Sequence, residues 1–461
     1  MSWAGTGLAR TAQFPDCSGV TERPRTAAAE RAIDAIGRAV PLFEQVAGKT
    51  RFLDALAWPP EVEEQFLSNE GREMPVVAYE VDRDRANSQV RELESFAMTL
   101  DVADPIQRWL VDCARSYADA NRMLLAVGTK RFHEISFEVY GGPRSPFDRD
   151  TSNVDLAVHL ERRLAGEDLP HPPPKAGKQK KRRPNGEDEL LDAKAFGKAI
   201  DALAAADGLK IEVQVDDRVS AKVVAGTERV RVRSGATFRR SEVLGLFVHE
   251  VETHALTAQN GAAQPQLPFL KSGGPRTTRT QEGLAVFAEF HARALSADRM
   301  RRIVRRVRLV EMAEQGANFL ELYRWLVELG SPERDAYFDA QRICRGGLID
   351  GGGPFTKDAS YLAGFCEVYN FLQVAVRGGA REALQLLACG RIALDDLAVL
   401  HDLRQIGVLE TPRLFPRWMK EWDALLPYFA FTSFLSEIDL VQVHERHRRI
   451  LDAANLDLEP T

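Results

Sequence analysis

SEVLGLFVHEVETHALTAQN, followed after a loop by RTTRTQEGLAVFAEFH, occupies residues 241–291 and is the stretch around which we expect the chain to fold. Its first part places His249, Glu250 and His254 on one predicted helix. Its second part places Glu282 near the start of another helix. A hydrolytic zinc site typically combines two histidine ligands, a carboxylate ligand and a second carboxylate that does not bind the metal and acts as the base.

The two histidines are one residue further apart than in the common HExxH motif, where a four-residue spacing puts both on one helix face. In HEVETH, His249 and His254 are five residues apart. Five residues turn a regular α-helix through about 500°, so the two side chains would diverge by about 140°. A regular helix therefore cannot direct both histidines at one ion.

Two arrangements solve this problem. A π-bulge between His249 and His254 widens the turn to about 4.4 residues and returns both side chains to one face, and such bulges are frequent at functional sites. Alternatively, Glu250 and His254, which are four residues apart, serve as ligands while His249 stays outside the metal shell. We favour the bulge, because a site that uses Glu250 as a ligand has no obvious base left to activate water.

The third ligand is expected from QEGLAVFAEF, an apolar-faced helix that carries Glu282 in its first turn, 28 residues after His254. In zincins the third ligand often is a glutamate on a second helix, and the Gly and Ala of EGLA would permit close helix approach. Glu289 lies two turns further on nearly the same face, where it either orients a histidine or is solvated. His291 falls off that face, and we expect it not to be a ligand.

The composition is that of an ordinary soluble globular protein. The 461 residues are 44% hydrophobic and 28% charged, with a net charge of −6, so charge alone implies no nucleic-acid partner. No stretch has the length and apolar content of a signal peptide or a membrane span. Five widely spaced cysteines without a CxxC pair favour a reducing compartment, and we expect a cytoplasmic protein with no membrane association.

We predict four regions along the chain. Residues 1–26 are a disordered leader, and 27–164 form an N-terminal helical region with apolar residues at three- and four-residue steps. Residues 165–189 contain three consecutive prolines and then six basic residues within nine positions, which is typical of an exposed linker or insert. Residues 190–461 are expected to form a zincin-like metallopeptidase domain.

The fold class follows from the helices and from three short alternating segments before the metal-binding helix. LKIEVQVDD, SAKVVAG and RVRVRSGA (209–236) predict a small antiparallel or mixed sheet. We therefore expect an α+β, mostly helical fold with a zincin-like, gluzincin-type core. The last of these strands could pair with an extended peptide substrate as an added strand.

Four further side chains could take part in binding and catalysis. Arg342, Arg345, Lys357 and Tyr361 lie in or next to the glycine-rich segment RGGLIDGGGPFTKD, whose backbone could lie close to a ligand. Tyr361 is the candidate oxyanion partner. Arg342, Arg345 and Lys357 are candidate substrate-binding residues, and Arg345 and Lys357 could hold the C-terminal carboxylate that a carboxypeptidase recognises.

HEVETH followed by QEGLAVF resembles a widespread family of bacterial proteins described as flavohemoglobin expression-modulating QEGLA motif proteins, which is similar to the microtubule-associated tyrosine carboxypeptidases. The resemblance covers most of the chain from about residue 40 onward. It implies a zinc peptidase in which the HExxxH histidines, here His249 and His254, and the QEGLA glutamate, here Glu282, bind the metal. Glu250 then is the base.

We therefore predict a zinc-dependent, carboxypeptidase-like metallopeptidase that hydrolyses a peptide or a small peptide-like substrate. Zn²⁺ is the expected cofactor, although two histidines and a carboxylate also suit manganese or iron. A catalytically silent, metal-containing regulatory or binding protein is the alternative. A closed site with four protein ligands would favour that alternative, whereas an open coordination position would favour the enzyme.

Overall fold

The computed structural model describes residues 26–50, 52–165, 189–217, 219 and 221–435. The predicted leader, except Thr26, and the predicted linker, except Ala165 and Glu189, lie outside the described residues. The same holds for the end of the chain after Leu435.

Helices dominate the described residues, as predicted. In the first half of the chain they are α1 (Ala27–Lys49), α2 (Phe52–Ala55), α3 (Pro60–Ser68), α4 (Arg83–Met98), α5 (Pro105–Leu125), α6 (Lys130–Tyr140), α7 (Asn153–Leu164) and α8 (Ala193–Ala206). From the metal-binding stretch onward they are α9 (Glu242–Leu246), a π-helix (Phe247–Ala255), α10 (Leu256–Ala262), α11 (Thr278–His291), α12 (Ala297–Glu314), α13 (Phe319–Glu328), α14 (Glu333–Cys344), α15 (Ser360–Arg377), α16 (Arg381–Leu387), α17 (Leu397–Gln405), α18 (Arg417–Lys420) and α19 (Trp422–Leu435). Short 3₁₀ turns cover Pro268–Lys271, Pro275–Thr277, Thr356–Ala359 and Leu394–Asp396.

The strands form two small sheets just before the metal-binding helix. They are β1 (Leu190–Leu191), β2 (Glu212–Asp216), β3 (Val223–Ala225), β4 (Arg229–Arg233) and β5 (Phe238–Arg239). In the larger sheet β4 is the central strand, parallel to β2 and antiparallel to β3. The predicted mixed sheet is confirmed, but the expectation that RVRVRSGA could pair with a substrate is wrong. Both edges of β4 already carry a strand of this chain, and an added strand needs a free edge.

Local signals explain where the helices begin. Asp104 caps α5 by accepting hydrogen bonds from the backbone N–H groups of Ile106 and Gln107. Pro105 occupies the first helical position, where a missing N–H has no cost. α5 then buries a continuous apolar face against α1 and α4, which is the pattern that the three- and four-residue apolar steps predicted.

The main apolar core joins the N-terminal helices to the part of the chain that carries His249, His254 and Glu282. Its members include residues of α1, α5, α8, β4, the π-helix and α11, namely Phe43, Leu110, Phe196, Val232, Phe247 and Phe287. Each is almost fully buried, and burying a side chain of this size stabilises the fold by roughly 1.5–3 kcal/mol. The π-helix that carries His249 and His254 is thus anchored in a core that spans both predicted regions.

α11, which carries the QEGLA motif, packs closely on α15. A Cβ atom placed on Gly283 would lie 2.2 Å from the carbonyl oxygen of Gly364. On Gly364, a Cβ would lie 2.1 Å from the carbonyl oxygen of Arg279. Gly283 therefore permits the close approach of α11 to α15, whereas its expected partner was the helix that carries His249 and His254.

None of the helices in the described residues is long and apolar enough to cross a bilayer.

Candidate metal centre

The predicted π-bulge is confirmed. The chain runs from α9 through a nine-residue π-helix, Phe247–Ala255, directly into α10. At about 4.4 residues per turn, positions five apart differ by only about 50° around the axis. His249 and His254 therefore project from the same face, and their ring centroids lie 5.0 Å apart.

Apolar packing and a local hydrogen bond support the widened turn. Phe247, Val248 and Val251 are buried on the core side of the π-helix. The Thr253 hydroxyl donates to the carbonyl oxygen of Val248, five residues earlier, at 2.9 Å. This bond adds a side-chain donor to a helix segment whose ordinary i to i−4 pairing is lost.

Three side chains converge where an ion would sit. Nε2 of His249 and Nε2 of His254 each lie 3.6 Å from Oε2 of Glu282, and the three ligand atoms are all within 4.8 Å of one another. Tetrahedral zinc with bonds of about 2.1 Å separates its ligand atoms by about 3.4 Å. The distances to Glu282 therefore fit a single small cation.

Glu250 lies outside this group, so the structure brings together the ligand set of the first arrangement rather than the second. Its Oε2 accepts a hydrogen bond of 3.1 Å from the backbone N–H of Ala225, at the end of β3. The side chain is only half-buried. His291 is also outside the group, and its ring contacts those of Phe287 and Tyr428.

His249 is oriented from behind by a carboxylate. Its Nδ1 lies 2.7 Å from Oε1 of Glu289, and Arg299 donates to both Glu289 oxygens, at 3.2 and 3.1 Å. With Nδ1–H donating to Glu289, Nε2 is the nitrogen that faces Glu282. Burial raises the pKa of Glu289, but Arg299 and His249 more than offset this and lower it to about 2.

Glu282 uses its two oxygens differently. Oε1 accepts a hydrogen bond of 2.9 Å from Nζ of Lys357. Oε2, between the two histidines, is buried without a hydrogen-bond partner. Burial alone would raise the pKa of Glu282, but Lys357 and both histidines hold it well below its usual range. A buried, ionised and unpartnered oxygen is costly unless a cation binds it.

The pKa of His249 also supports a cation at this site. Burial lowers the pKa of His249, but its contacts with Glu282 and Glu289 and the charge of Glu250 raise it to about 10. The surrounding carboxylates thus favour a positive charge at this point. A divalent cation supplies that charge in place of the proton, so the residues present fit a metal ion.

The group offers three protein ligands. Among the described residues no fourth His, Cys, Asp or Glu joins His249, His254 and Glu282. The exposed fractions of the His254 and Glu282 side chains, 15% and 12%, exceed the 7% of His249. Three protein ligands with a remaining open position are typical of catalytic rather than structural zinc sites.

The other predicted site residues have different partners, and of these four Lys357 is the one that contacts a candidate metal ligand. Lys357 contacts Glu282, and both Lys357 Nζ and Arg342 Nη2 lie 3.4 Å from the Tyr361 hydroxyl. Arg342 also forms a two-point ion pair with Asp358, at 2.6 and 2.8 Å. Tyr361 is buried.

Arg345 differs from these residues because its guanidinium has no acidic partner among the described residues. It is 4% exposed, and its Nε has no hydrogen-bond partner. Burial, together with the neighbouring positive charge of Arg342, lowers the pKa of Arg345 to about 10. An anion bound here would relieve this cost.

Arg391 is a site residue that the sequence did not reveal. Its Nη2 donates to the carbonyl oxygens of Ala225, at 3.2 Å, and His254, at 3.4 Å. It therefore ties β3 to the π-helix beside Glu250. Nothing in the surrounding sequence, CGRIALDD, marks this arginine, because its partners are backbone atoms more than 130 residues away.

Comparison with known proteins gives one family. A model of the family described as microtubule-associated tyrosine carboxypeptidase matches residues 64–437, which is most of the chain. No curated protein matches the sequence.

Proposed function

Because the chain belongs to the microtubule-associated tyrosine carboxypeptidase family, we propose that it is a zinc-dependent carboxypeptidase that releases the C-terminal residue of a peptide. The observation that carries the proposal is the buried group of His249, His254 and Glu282 with an unpartnered carboxylate oxygen at its centre. The family supports a peptidase. The distances and the donor set support a zinc-dependent one.

In this proposal His249, His254 and Glu282 hold the metal, and Glu250 is the general base. When bound, zinc supplies Lewis acidity, which lowers the pKa of water to about 7 and polarises a carbonyl group. Glu250 follows His249 directly and, unlike Glu289, is not occupied in orienting a histidine, so it is the carboxylate that would accept the proton of the attacking water. The backbone N–H of Ala225 donates a hydrogen bond to Glu250 and keeps the Glu250 side chain in place.

Tyr361 is the proposed oxyanion partner. Its hydroxyl oxygen faces two cations, Lys357 Nζ and Arg342 Nη2, each at 3.4 Å. Because an ammonium and a guanidinium only donate, the hydroxyl proton remains available for the negative charge that develops on the carbonyl oxygen. Arg342 is held in turn by Asp358, so we assign it to supporting Tyr361 rather than to direct substrate contact.

Arg345 is the proposed partner of the substrate's C-terminal carboxylate. It is the buried cation of this segment without an acidic partner among the described residues, and a carboxylate accepts two parallel hydrogen bonds from a guanidinium. A carboxypeptidase requires such a contact, whereas an endopeptidase does not. The substrate is thus a peptide or a small peptide-like molecule with a free C-terminus.

We also propose a cytoplasmic location. The cysteines among the described residues, Cys113, Cys344, Cys366 and Cys389, are free thiols, which suits a reducing compartment.

The test combines metal content with peptide cleavage. The purified protein should contain about one zinc per chain, and His254→Ala and Glu282→Ala should lose it. Glu250→Gln should keep the metal and lose cleavage. Peptides with a free C-terminus, including ones ending in tyrosine, should be shortened by one residue, and the same peptides with an amidated C-terminus should not.

Arg345→Met should lower kcat/KM for the peptides with a free C-terminus by about 10- to 100-fold, because it removes one charge-assisted contact. Arg334→Met, which removes a surface arginine paired with Glu63, is the control. Zinc-free wild-type protein would overturn the proposal. Stoichiometric zinc without cleavage of any peptide would favour the metal-containing binding protein instead.

A further inference from the structure

Lys357 stands out because it contacts a metal ligand rather than an open surface. Its Nζ lies 2.9 Å from Oε1 of Glu282, and the residue is 6% exposed. It belongs to the 3₁₀ turn Thr356–Ala359, which leads into α15. The contact therefore joins α15 to the QEGLA helix α11 at the metal centre.

The backbone around Lys357 is held on both sides. The Ser136 hydroxyl accepts from the N–H of Thr356 at 2.9 Å. The Ser360 hydroxyl donates to the carbonyl oxygen of Lys357 at 2.6 Å. Because the turn is fixed to α6 and α15, the ammonium has a defined position, and it also lies 5.0 Å from the centre of the Tyr361 ring.

The two oxygens of Glu282 are consequently not equivalent. Oε1 accepts a hydrogen bond from the Lys357 ammonium. Oε2 lies 3.6 Å from Nε2 of each histidine and accepts no hydrogen bond. A carboxylate without such a partner can bind a metal through both oxygens. That mode would fill the coordination position that catalysis needs.

We propose that Lys357 is a positioning residue of the metal centre, whose ammonium holds Oε1 of Glu282 so that the carboxylate binds the metal through Oε2 alone. This inference deepens the proposed function and rests on its metal site. One-point binding keeps the protein ligands at three, which leaves a position of a tetrahedral metal free. It also favours zinc over cations that prefer more oxygen ligands.

This assignment replaces the expectation that Lys357 binds the substrate carboxylate. Lys357 already has a carboxylate partner, and moving it to a substrate would leave Glu282 with an unpaired buried oxygen. Arg345, in contrast, has no acidic partner among the described residues. In this assignment Lys357 binds the metal ligand Glu282, and Arg345 binds the substrate carboxylate.

The experiment is a titration of metal-free protein with Co²⁺, Zn²⁺ and Mn²⁺. The wild type should give the intense visible Co²⁺ spectrum of a four-coordinate site. Lys357→Met removes the donor, and its Co²⁺ spectrum should weaken as the coordination number rises. Its preference for Zn²⁺ over Mn²⁺, measured by chelator competition, should fall by about 10-fold, the scale of other outer-shell changes.

Two variants and one measurement on the wild type control for misfolding. Lys357→Gln keeps an N–H donor and should retain more of the four-coordinate spectrum than Lys357→Met. Lys271→Met makes the same change in the lysine–glutamate pair with Glu44, which links the 3₁₀ turn Pro268–Lys271 to α1, and should change nothing. The third control needs no variant. X-ray absorption of the zinc-loaded wild type should show one short bond between zinc and a glutamate oxygen.

The outcomes separate the two proposals. Wild-type protein that binds no metal overturns both the proposed function and this inference. Metal-bound wild type with a two-point carboxylate overturns the inference alone. A folded Lys357→Met variant with an unchanged Co²⁺ spectrum and unchanged metal preference also overturns the inference alone.

Discussion

Nδ1 of His249 lies 2.7 Å from Oε1 of Glu289, so the histidine that begins the HEVETH motif is oriented by a carboxylate two turns beyond the QEGLA glutamate. Glu289 is 4% exposed and is held by Arg299. The HEVETH motif and the helix that carries QEGLA are therefore coupled through two residues that are 40 positions apart, by a contact that does not involve the candidate ligand atoms themselves.

Replacing Glu289 should weaken metal binding without removing a ligand. Glu289→Gln leaves His249 without its charged acceptor, and we expect a loss of about 10- to 100-fold in zinc affinity. Chelator competition measures the loss. Glu63→Gln, which removes a carboxylate paired with Arg334 at the periphery, should bind zinc like the wild type. Equal affinities for Glu289→Gln and the wild type would contradict this coupling.

Metal should stabilise the fold, because its ligands come from two helices that meet only in the folded chain. A ligand at about 100 times its dissociation constant adds about 2.7 kcal/mol to the free energy of unfolding. Thermal melts in excess zinc and in chelator should differ accordingly. His254→Ala should melt at the same temperature in both solutions, and a zinc-dependent shift in that variant would place the bound metal elsewhere.

Gly283 should not tolerate a side chain. An added Cβ would meet the Gly364 carbonyl oxygen at 2.2 Å, so Gly283→Ala must push α11 away from α15. We expect a destabilisation of about 1–3 kcal/mol, which is typical of overpacking, measured by denaturant unfolding. In Gly37→Ala, a Cβ in α1 has no neighbour within 4 Å, and the better helix propensity of alanine should stabilise by about 0.5–1 kcal/mol. A Gly283→Ala variant as stable as the wild type would disprove the close contact.

Because of Glu314, the free energy of unfolding should fall as the pH rises. Burial, with a smaller contribution from Glu311, outweighs the opposing charge of Arg144 and raises the pKa of Glu314 from 4.5 to about 7. Its Oε1 has no hydrogen-bond partner and lies 4.0 Å from Nε2 of His133. Since the folded state holds the proton more tightly than the unfolded chain, the stabilisation is complete below pH 4.5 and is lost as the pH rises through about 7.

Glu314→Gln should remove this part of the pH dependence. We expect the variant to exceed the wild type by about 1–3 kcal/mol at pH 8 and to match it near pH 4.5. Denaturant unfolding at a series of pH values measures the difference. The exposed Glu61→Gln should show no such trend, and a Glu314→Gln difference that is constant with pH would contradict the assignment.

The two candidate histidine ligands were predictable because their pattern is local. The five-residue spacing of His249 and His254 is incompatible with a regular α-helix, so it predicted the π-helix that the structure contains. The position of Glu282 in the first turn of an apolar-faced helix predicted that it joins the two histidines in one group. The mixed sheet and the long helices followed in the same way from residue periodicity.

The order of the strands was not predictable, since pairing depends on contacts between segments rather than on any one segment. RVRVRSGA has the alternation of a strand, but alternation does not distinguish a central strand from an edge strand. β4 is central because β2 and β3 both pair with it. This order removes it as a surface for a peptide.

The sequence by itself determined the pair of histidines that could bind a metal and the helix distortion that brings them together, because both depend on spacing within about one helical turn. Only the tertiary structure decided what surrounds the candidate ligands. Lys357, Arg299 and Arg391 meet Glu282, Glu289 and backbone carbonyls through chain separations of 10 to 166 residues. A charge buried in an apolar core must find a partner wherever the packing brings one, and that partner is set by how the helices stack.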